Sequence, residues 1–394
     1  MTWTPAMCVA VIAFAYVIGD LLSAKTNGYI SSMVFACFIA MALFWTNLIP
    51  KDVATTSTLL MTLNSIGVGF LLINVGTSID LENLLMEWKT VVVCCVGLVG
   101  LGAFAFTAGI ALFGREYSLV AAPIVSGGVI AYQIVAEEAI KVGKDYLSGY
   151  GALVMAFQSV IGMPVASFCL KRELVSQHKK GFFNADAEQK KAFKLPETNL
   201  FKNPKPQFDT ATMKFCKLAI VATCAYLLST YVVPAVNVNI MYLIVGVIAR
   251  KINFIQKNPL NEAGGYGLIM ICMYGLMFNG FASVSVRDFL QMVYPIIGML
   301  VIGAGGIAIG ALIVGKILGY NVFVSMACGV TALFGYPGTE ILSREVVNSM
   351  TEFTDEERAK ALDYVLPKMI VGGFTTVTIA SVVFAGIVAP TIFH

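Results

Sequence analysis

The sequence predicts an all-α membrane protein of two inverted repeats, each of five transmembrane helices plus a re-entrant or broken hairpin. Three observations carry that expectation. Of 394 residues, 58% are hydrophobic and only 12% charged, with a mean hydropathy of +0.82, and so little charge cannot cover a water-facing surface. The apolar residues gather into about a dozen runs near the length that crosses a bilayer. Two of those runs, at corresponding places in the two halves, are interrupted at their centres, the pattern that points to a transporter's binding site.

Taken in order, the runs 5–24, 29–49, 56–78, 89–113, 147–170, 211–234, 238–255, 264–284, 289–318 and 361–389 read as helices by length. The first starts within a few residues of Met1, without a basic leader or a small-residue cleavage site, and reads as a retained helix. Gly97, Gly100 and Gly102, and again Gly303, Gly305, Gly306 and Gly310, suit close helix packing in lipid. The broken runs are 119–143, interrupted by Ser126, Gly127 and Gly128, and 322–350, interrupted from Phe334 to Glu340. Between the halves lies a polar stretch, Lys171 to Asp209, that carries Lys171, Arg172, Lys179, Lys180, Lys190, Lys191, Lys194, Lys202 and Lys205. The chain therefore divides into an amino-terminal repeat (1–170), a cytoplasmic linker (171–210) and a carboxyl-terminal repeat (211–394).

Asn74, Ser78 and Leu85 coincide with Asn279, Ser283 and Leu290 at an offset of 279 − 74 = 205, and Gly114 falls on Gly319 at the same offset. If each broken run crossed the membrane the repeats would be parallel; if each dips in and returns, they are inverted. The inverted arrangement collects Lys25, the linker cluster, Arg250, Lys251, Lys257, Lys316, Arg344, Arg358 and Lys360 on one side. Chiefly Lys51, Arg115, Lys141, Lys144 and Arg287 remain on the other. Such an asymmetry obeys the positive-inside rule and favours inversion.

Non-helical backbone survives at membrane depth only where protein, water, ions or substrate satisfy its polar groups. Helix N-termini attract anions, and unwound carbonyls can hold Na⁺. Two inverted hairpins meeting near the midplane would form one pocket, opened to either side by an elevator-like movement of one unit against the other. On this basis Ser126, Gly127, Gly128, Tyr132, Gln133, Tyr336, Gly338, Thr339, Glu340 and Lys368 are candidate substrate ligands. Asn74, Asn279, Ser283 and Glu137 are candidate ion ligands or supports. Each has a plainer alternative. The glycines can serve close packing, Asn74 and Asn279 interhelical hydrogen bonding, Glu137 and Glu138 a solvated face with Lys141 and Lys144, and Asp363 and Lys368 an interfacial ion pair.

Other chemistry finds little support. Only His178 and His394 occur, and the nine cysteines lack metal-type spacing, so neither a metal site nor a nucleophile–base pair has its parts. No cofactor is expected beyond Na⁺ as coupling ion, and a net charge of +3 does not suggest nucleic acid. A membrane-embedded enzyme or an ion-pumping subunit is the reading from another class, and it lacks a visible constellation.

The chain resembles the glutamate:sodium symporter family, whose fold is similar to that of the sodium–citrate carriers. The resemblance rests on Ser126-Gly127-Gly128, on Gly162-Met163-Pro164-Val165-Ala166, on Gly335 with Pro337, and on Val365-Leu366-Pro367 followed by Met369-Ile370-Val371-Gly372. In place of the family's histidine and glycines after Ser-Gly-Gly stand Val129, Ile130 and Ala131. The resemblance implies Na⁺-driven uptake of an amino-acid or dicarboxylate anion by a multi-pass protein of the bacterial inner membrane, embedded in lipid and forming a homodimer. The alternative is a proton-coupled carrier or exporter of a small organic anion that uses Glu340 or Glu137.

Overall fold

A computed structural model describes residues 3–26, 32–79, 81–181, 200–201, 209–234 and 236–392, with the side chains at 60, 61, 64, 65, 336 and 337 outside that description. Much of the linker, with Lys190, Lys191, Lys194, Lys202 and Lys205, lies outside the described residues, as does the Tyr336 side chain.

Among the described residues the ordered structure is helical, with no strand. The first half runs α1 (Pro5–Lys25), α2 (Ser32–Trp45), α3 (Val68–Ser78), α4 (Trp88–Phe113), α5 (Arg115–Val125), α6 (Val129–Lys141) and α7 (Asp145–Lys179). The second runs α8 (Ala211–Val232), α9 (Val238–Lys251), α10 (Tyr266–Ala282), α11 (Val286–Ile317), α12 (Val322–Leu333), α13 (Gly335–Asn348) and α14 (Asp355–Thr391). Short helical turns at Val53–Thr56, Leu59–Thr62, Leu81–Met86 and Pro259–Glu262 join them. Helices α1, α4, α7, α8, α11 and α14 are each long and apolar enough to cross a membrane. The chain is a multi-pass membrane protein.

Helix starts follow local chemistry. Thr4 precedes Pro5 at α1 and accepts from the Met7 N–H, and Thr210 does the same for Met213 at α8. Ser285 with Asp288 and Thr354 with Glu357 form reciprocal capping boxes that open α11 and α14. The end of α7 differs from expectation. The apolar pattern stops near 170, yet the helix continues to Lys179, because residues 171–179 contain no breaker; it ends at Gly181, whose φ of 67° suits glycine. The start of the expected linker is therefore helix.

Cross-chain contacts give the bundle two ends. At one, Trp45 Nε1 donates to Val284 O over 3.0 Å, and Arg115 Nη2 donates to Thr391 O over 3.0 Å. At the other, Lys89 Nζ donates to Leu318 O over 3.2 Å, while the Asn253 amide donates to Phe201 O in the linker over 2.9 Å. Basic residues close helices at the second end: Arg250 and Lys251 on α9, Lys316 on α11.

Close backbone packing ties the halves together. A Cβ on Gly310 would lie 2.6 Å from Val96 O, and one on Gly306 2.7 Å from Gly100 O, so α4 and α11 approach with nothing between their backbones. Dispersion and weak Cα–H contacts hold such pairs in lipid, where burial of apolar side chains gains little. Helices α3 and α9 meet similarly, with Gly246 against Ile73 O. A third close approach sets Gly149 of α7 against Gly280 of α10.

Candidate functional site

The first broken run turns back on itself. Glu116, in the first turn of α5, accepts from Lys144 Nζ and, over 2.8 Å, from Tyr146 OH at the start of α7. The Tyr117 and Tyr150 rings also pack with centroids 4.8 Å apart. A continuous helix over 115–141 would hold its ends about 40 Å apart. The break that permits the return is Ser126-Gly127-Gly128: Ser126 Oγ bonds back to Pro123 O over 2.7 Å, and Gly128 is extended before α6 begins.

The second broken run returns as well, from the opposite end. Before α12, Tyr320 OH lies 3.1 Å from Thr90 Oγ1. After α13, the guanidinium of Arg358 donates to Met350 O, and the neighbouring Glu357 pairs with His178 on the last turn of α7 at 3.2 Å. The turn falls at Phe334 and at Gly335, whose φ of 57° a side chain would disfavour.

Both tips reach the same level of α7. Gln158 Nε2 donates to Gly127 O over 3.3 Å, and one turn on, a Cβ at Gly162 would press on Leu333 and Phe334. They also bracket one residue of α14, because Val377 Cγ1 would lie 3.0 Å from a Cβ on Gly128, and its Cγ2 2.8 Å from one on Gly335. Val377 sits in a π-helical turn, Thr375–Ala380. At this level four buried side-chain oxygens have no hydrogen-bond partner among the described residues: Gln158 Oε1, Ser159 Oγ, Thr339 Oγ1 and Thr375 Oγ1. Thr339 is 0% and Thr375 2% exposed. Leaving a buried polar oxygen unpaired costs roughly 1–3 kcal/mol, so this level, with three hydroxyls and one amide oxygen in that state, is the candidate ligand site.

Helices α6 and α13 begin directly after the two breaks, and neither has a side-chain cap on its first N–H groups. The positive end of α6 therefore lies near Gln158, which bonds Gly127, and Thr339 stands in the first turns of α13. Together the parts can hold a group that is anionic at one place and a donor or cation at another.

Of the candidates from sequence, Ser126, Gly127, Gly128, Gly338 and Thr339 are brought together here; a Cβ on Gly338 would touch Met163, beside Gly162. The others lie further off. Tyr132, fully buried, makes a 3.2 Å hydrogen bond with Ser148 and donates to Leu276 O over 3.4 Å, toward α10. Gln133 donates to Glu137 over 2.8 Å and keeps its own oxygen unpaired. Glu138 pairs with Lys141 at 2.6 Å, and Glu340 with Arg344 at 3.0 Å, both on one helix face. Lys368 is buried while Asp363 is exposed on another face of α14; the ammonium donates to Tyr364 O over 2.7 Å. Asn74 donates to Asn261 and accepts from Leu260 N–H, each over 2.9 Å, and so fastens the 259–262 turn to α3. Asn279 is half-buried on α10, and Ser283 caps that helix through Gly280 O. Ser78 bonds back to Asn74 O in the same manner.

Sequence reasoning missed Gln158, Ser159, Thr375 and Val377, which sit in unbroken runs. The signal was present in Thr375-Thr376-Val377-Thr378, a hydroxyl cluster within an apolar stretch. It also missed that Glu173, read as linker, is buried in α7 and accepts from Tyr364 OH of α14 over 2.9 Å.

The geometry defines a multi-pass helical membrane protein with two opposed hairpins over a buried polar site. No family model and no curated protein matches the chain. Among solved structures, a sodium proton antiporter from Methanocaldococcus jannaschii is similar over 98% of this chain and 99% of that one, at 14% identity and a TM-score of 0.43.

Proposed function

We propose that the protein is a Na⁺-coupled secondary active symporter of an amino-acid or dicarboxylate anion resembling glutamate. Its two halves act as inverted repeats, and the hairpins with α4, α7, α11 and α14 move as an elevator against α1, α2, α3, α8, α9 and α10. One observation carries the reading: two hairpin tips from opposite ends of the fold meet around Val377, where Gln158, Ser159, Thr339 and Thr375 hold unpartnered oxygens. The uncapped starts of α6 and α13 suit a carboxylate, and the orphan oxygens suit Na⁺ or a substrate ammonium. Ser126, Gly127, Gly128, Gly338 and Thr339 are the central contacts. Glu340 contributes through its ion pair with Arg344, and Asn74, Asn279 and Ser283 act as supports. The motifs shared with the glutamate:sodium symporters favour this substrate class, and with it a homodimer in a bacterial inner membrane.

A proton-coupled carrier of a small organic anion is the second reading, favoured by the half-buried Glu137 against the fully buried Gln133. Uptake of labelled glutamate, then of other amino acids and dicarboxylates, into proteoliposomes under a Na⁺ or a pH gradient separates the two. Accumulation that needs Na⁺ and collapses in Thr339→Val is the expected result. Accumulation indifferent to Na⁺ and driven by the pH gradient overturns the coupling, and no accumulation of any solute in the panel overturns the transporter reading.

A further inference from the structure

One ridge of α14 runs along the seam between the two tips. Its members are Gly373, Val377 and Ser381, spaced four apart. At one end of the ridge a Cβ on Gly373 would lie 2.9 Å from Thr339 Cγ2, in the second hairpin. At the other, a Cβ on Gly127, in the first hairpin, would run into Ser381, whose Oγ donates to Val377 O over 2.6 Å. Val377 stands between them and meets both tips.

Its two methyls take the places of two missing side chains. Among the described residues the only atom within 4 Å of a Cβ on Gly128 is Val377 Cγ1, at 3.0 Å. The three atoms nearest to a Cβ on Gly335 all belong to Val377: Cγ2 at 2.8 Å, then Cβ and Cγ1, each at 3.2 Å. The two glycines differ in what else explains them. Gly335, with a φ of 57°, sits where glycine is favoured in any case. Gly128 has a φ of −90°, which any residue adopts, so the Val377 methyl is what excludes a side chain there. A β-branched side chain in a helix holds one rotamer, which makes this isopropyl group a rigid body between the tips.

The tips are also anchored independently of Val377. Gly127 O accepts from Gln158 of α7 over 3.3 Å, and Gly162 of the same helix lies against Leu333 and Phe334. Removing the isopropyl group therefore leaves a void and does not let the tips close. That void adjoins Gly128, next to the carbonyl that holds Gln158, and Gly335, one turn from Thr339.

We propose that Val377 is the spacer that sets how large a ligand the site admits. The inference deepens the transport reading and rests on it for the nature of the ligand. The apolar chain of the solute packs against the isopropyl group, while its polar ends meet the helix starts and the unpartnered oxygens.

The test has two arms, both on the full chain. In lipid nanodiscs, Gly128→Ala is expected to lower the melting temperature, and Val377→Ala added to it to restore more than half of that loss. Simple addition of the two losses overturns the contact and the proposal with it. In proteoliposomes under combined Na⁺ and pH gradients, uptake is compared within two pairs of labelled solutes that differ by one methylene: glutamate with 2-aminoadipate, and succinate with glutarate. A methylene in a fitted pocket is worth roughly 10–200-fold, so Val377→Ala is expected to shift the ratio toward the longer solute by about tenfold or more. Val377→Ile is expected to shift it toward the shorter one. The ratio does not depend on how much protein is folded, so a merely structural role leaves it unmoved. Uptake with a ratio unchanged in both variants overturns the proposal and leaves the transporter reading standing. No uptake of any solute by any variant overturns the transporter reading, and the ligand role of Val377 falls with it.

Discussion

Thr339 tests what the orphan oxygens are for. Its hydroxyl has no partner and the side chain is fully buried, so the near-isosteric Thr339→Val removes an unpaid desolvation cost and nothing else from the ligand-free protein. Melting in detergent is expected to hold or rise, by up to about 1 kcal/mol, while solute uptake falls at least tenfold. A stability loss beyond about 2 kcal/mol would mean the hydroxyl is structural. Gly335 should behave in the opposite manner. At its φ of 57° a Cβ would meet Val377, so Gly335→Ala costs about 1–2 kcal/mol from backbone strain alone, read as a lowered melting temperature. Glu340→Gln, which breaks only a partly exposed i, i+4 ion pair, changes stability by under about 0.5 kcal/mol and uptake by a few-fold at most. At this scale the sequence was legible where chemistry broke a pattern: glycine, serine and proline in apolar runs marked the tips. Gln158 and Ser159 were not legible, because an unbroken helix conceals which of its polar residues faces a partner far along the chain, whereas Thr375 had a signal in its hydroxyl cluster that went unread. Glu173 was hidden differently, as it follows Lys171 and Arg172 and looks like the start of a polar surface.

Among the elements, the two broken runs were readable as hairpins only through an argument from charge, and Glu116 with Lys144 and Tyr146 supplies the direct geometry for the first. That anchor predicts that Glu116→Ala frays the hairpin base. Hydrogen exchange at 115–120 is expected to rise while exchange across α4 and α11 stays slow. Equal changes in both would make the base and the bundle one cooperative unit. The boundary of α7 was misread because hydropathy falls at 171, and hydropathy reports lipid contact, whereas helix continuation needs only the absence of a breaker. The glycine ridge of α4 and α11 was legible as small residues, but its partner was not, since sequence does not say which two ridges meet.

For the whole molecule, the three glycine contacts divide into two kinds. Two lie inside a proposed rigid group, and the third, Gly149 against Gly280, lies between the groups. In a background freed of native cysteines, Gly97→Cys with Ala311→Cys places its Cβ atoms about 3.7 Å apart, within disulfide range. Oxidation of that pair is expected to leave uptake intact. Joining Gly149→Cys to Val284→Cys with a short thiol-bridging reagent is expected to stop it. Loss of uptake in both, or in neither, would remove the division into moving and static groups. The proposed two-halved plan rests on the repeat at offset 205 and the asymmetry of basic residues, whereas the proposed division of labour between helices rests on which faces touch.

Helix α7 carries the base of one hairpin near Tyr150 and that of the other near His178, with both tips resting on it between. It therefore works as a ruler, in which the separation of the tips and the direction each faces are set by counting residues along a single rod. One alanine inserted between Tyr150 and Gln158 would lengthen that rod by only about 1.5 Å, yet turn everything beyond it by about 100° relative to the first hairpin. Such a protein should still reach the membrane with each hairpin formed and have no shared site between them. A second copy of the insertion cannot restore the register, but three or four residues, close to a full turn, come near to doing so.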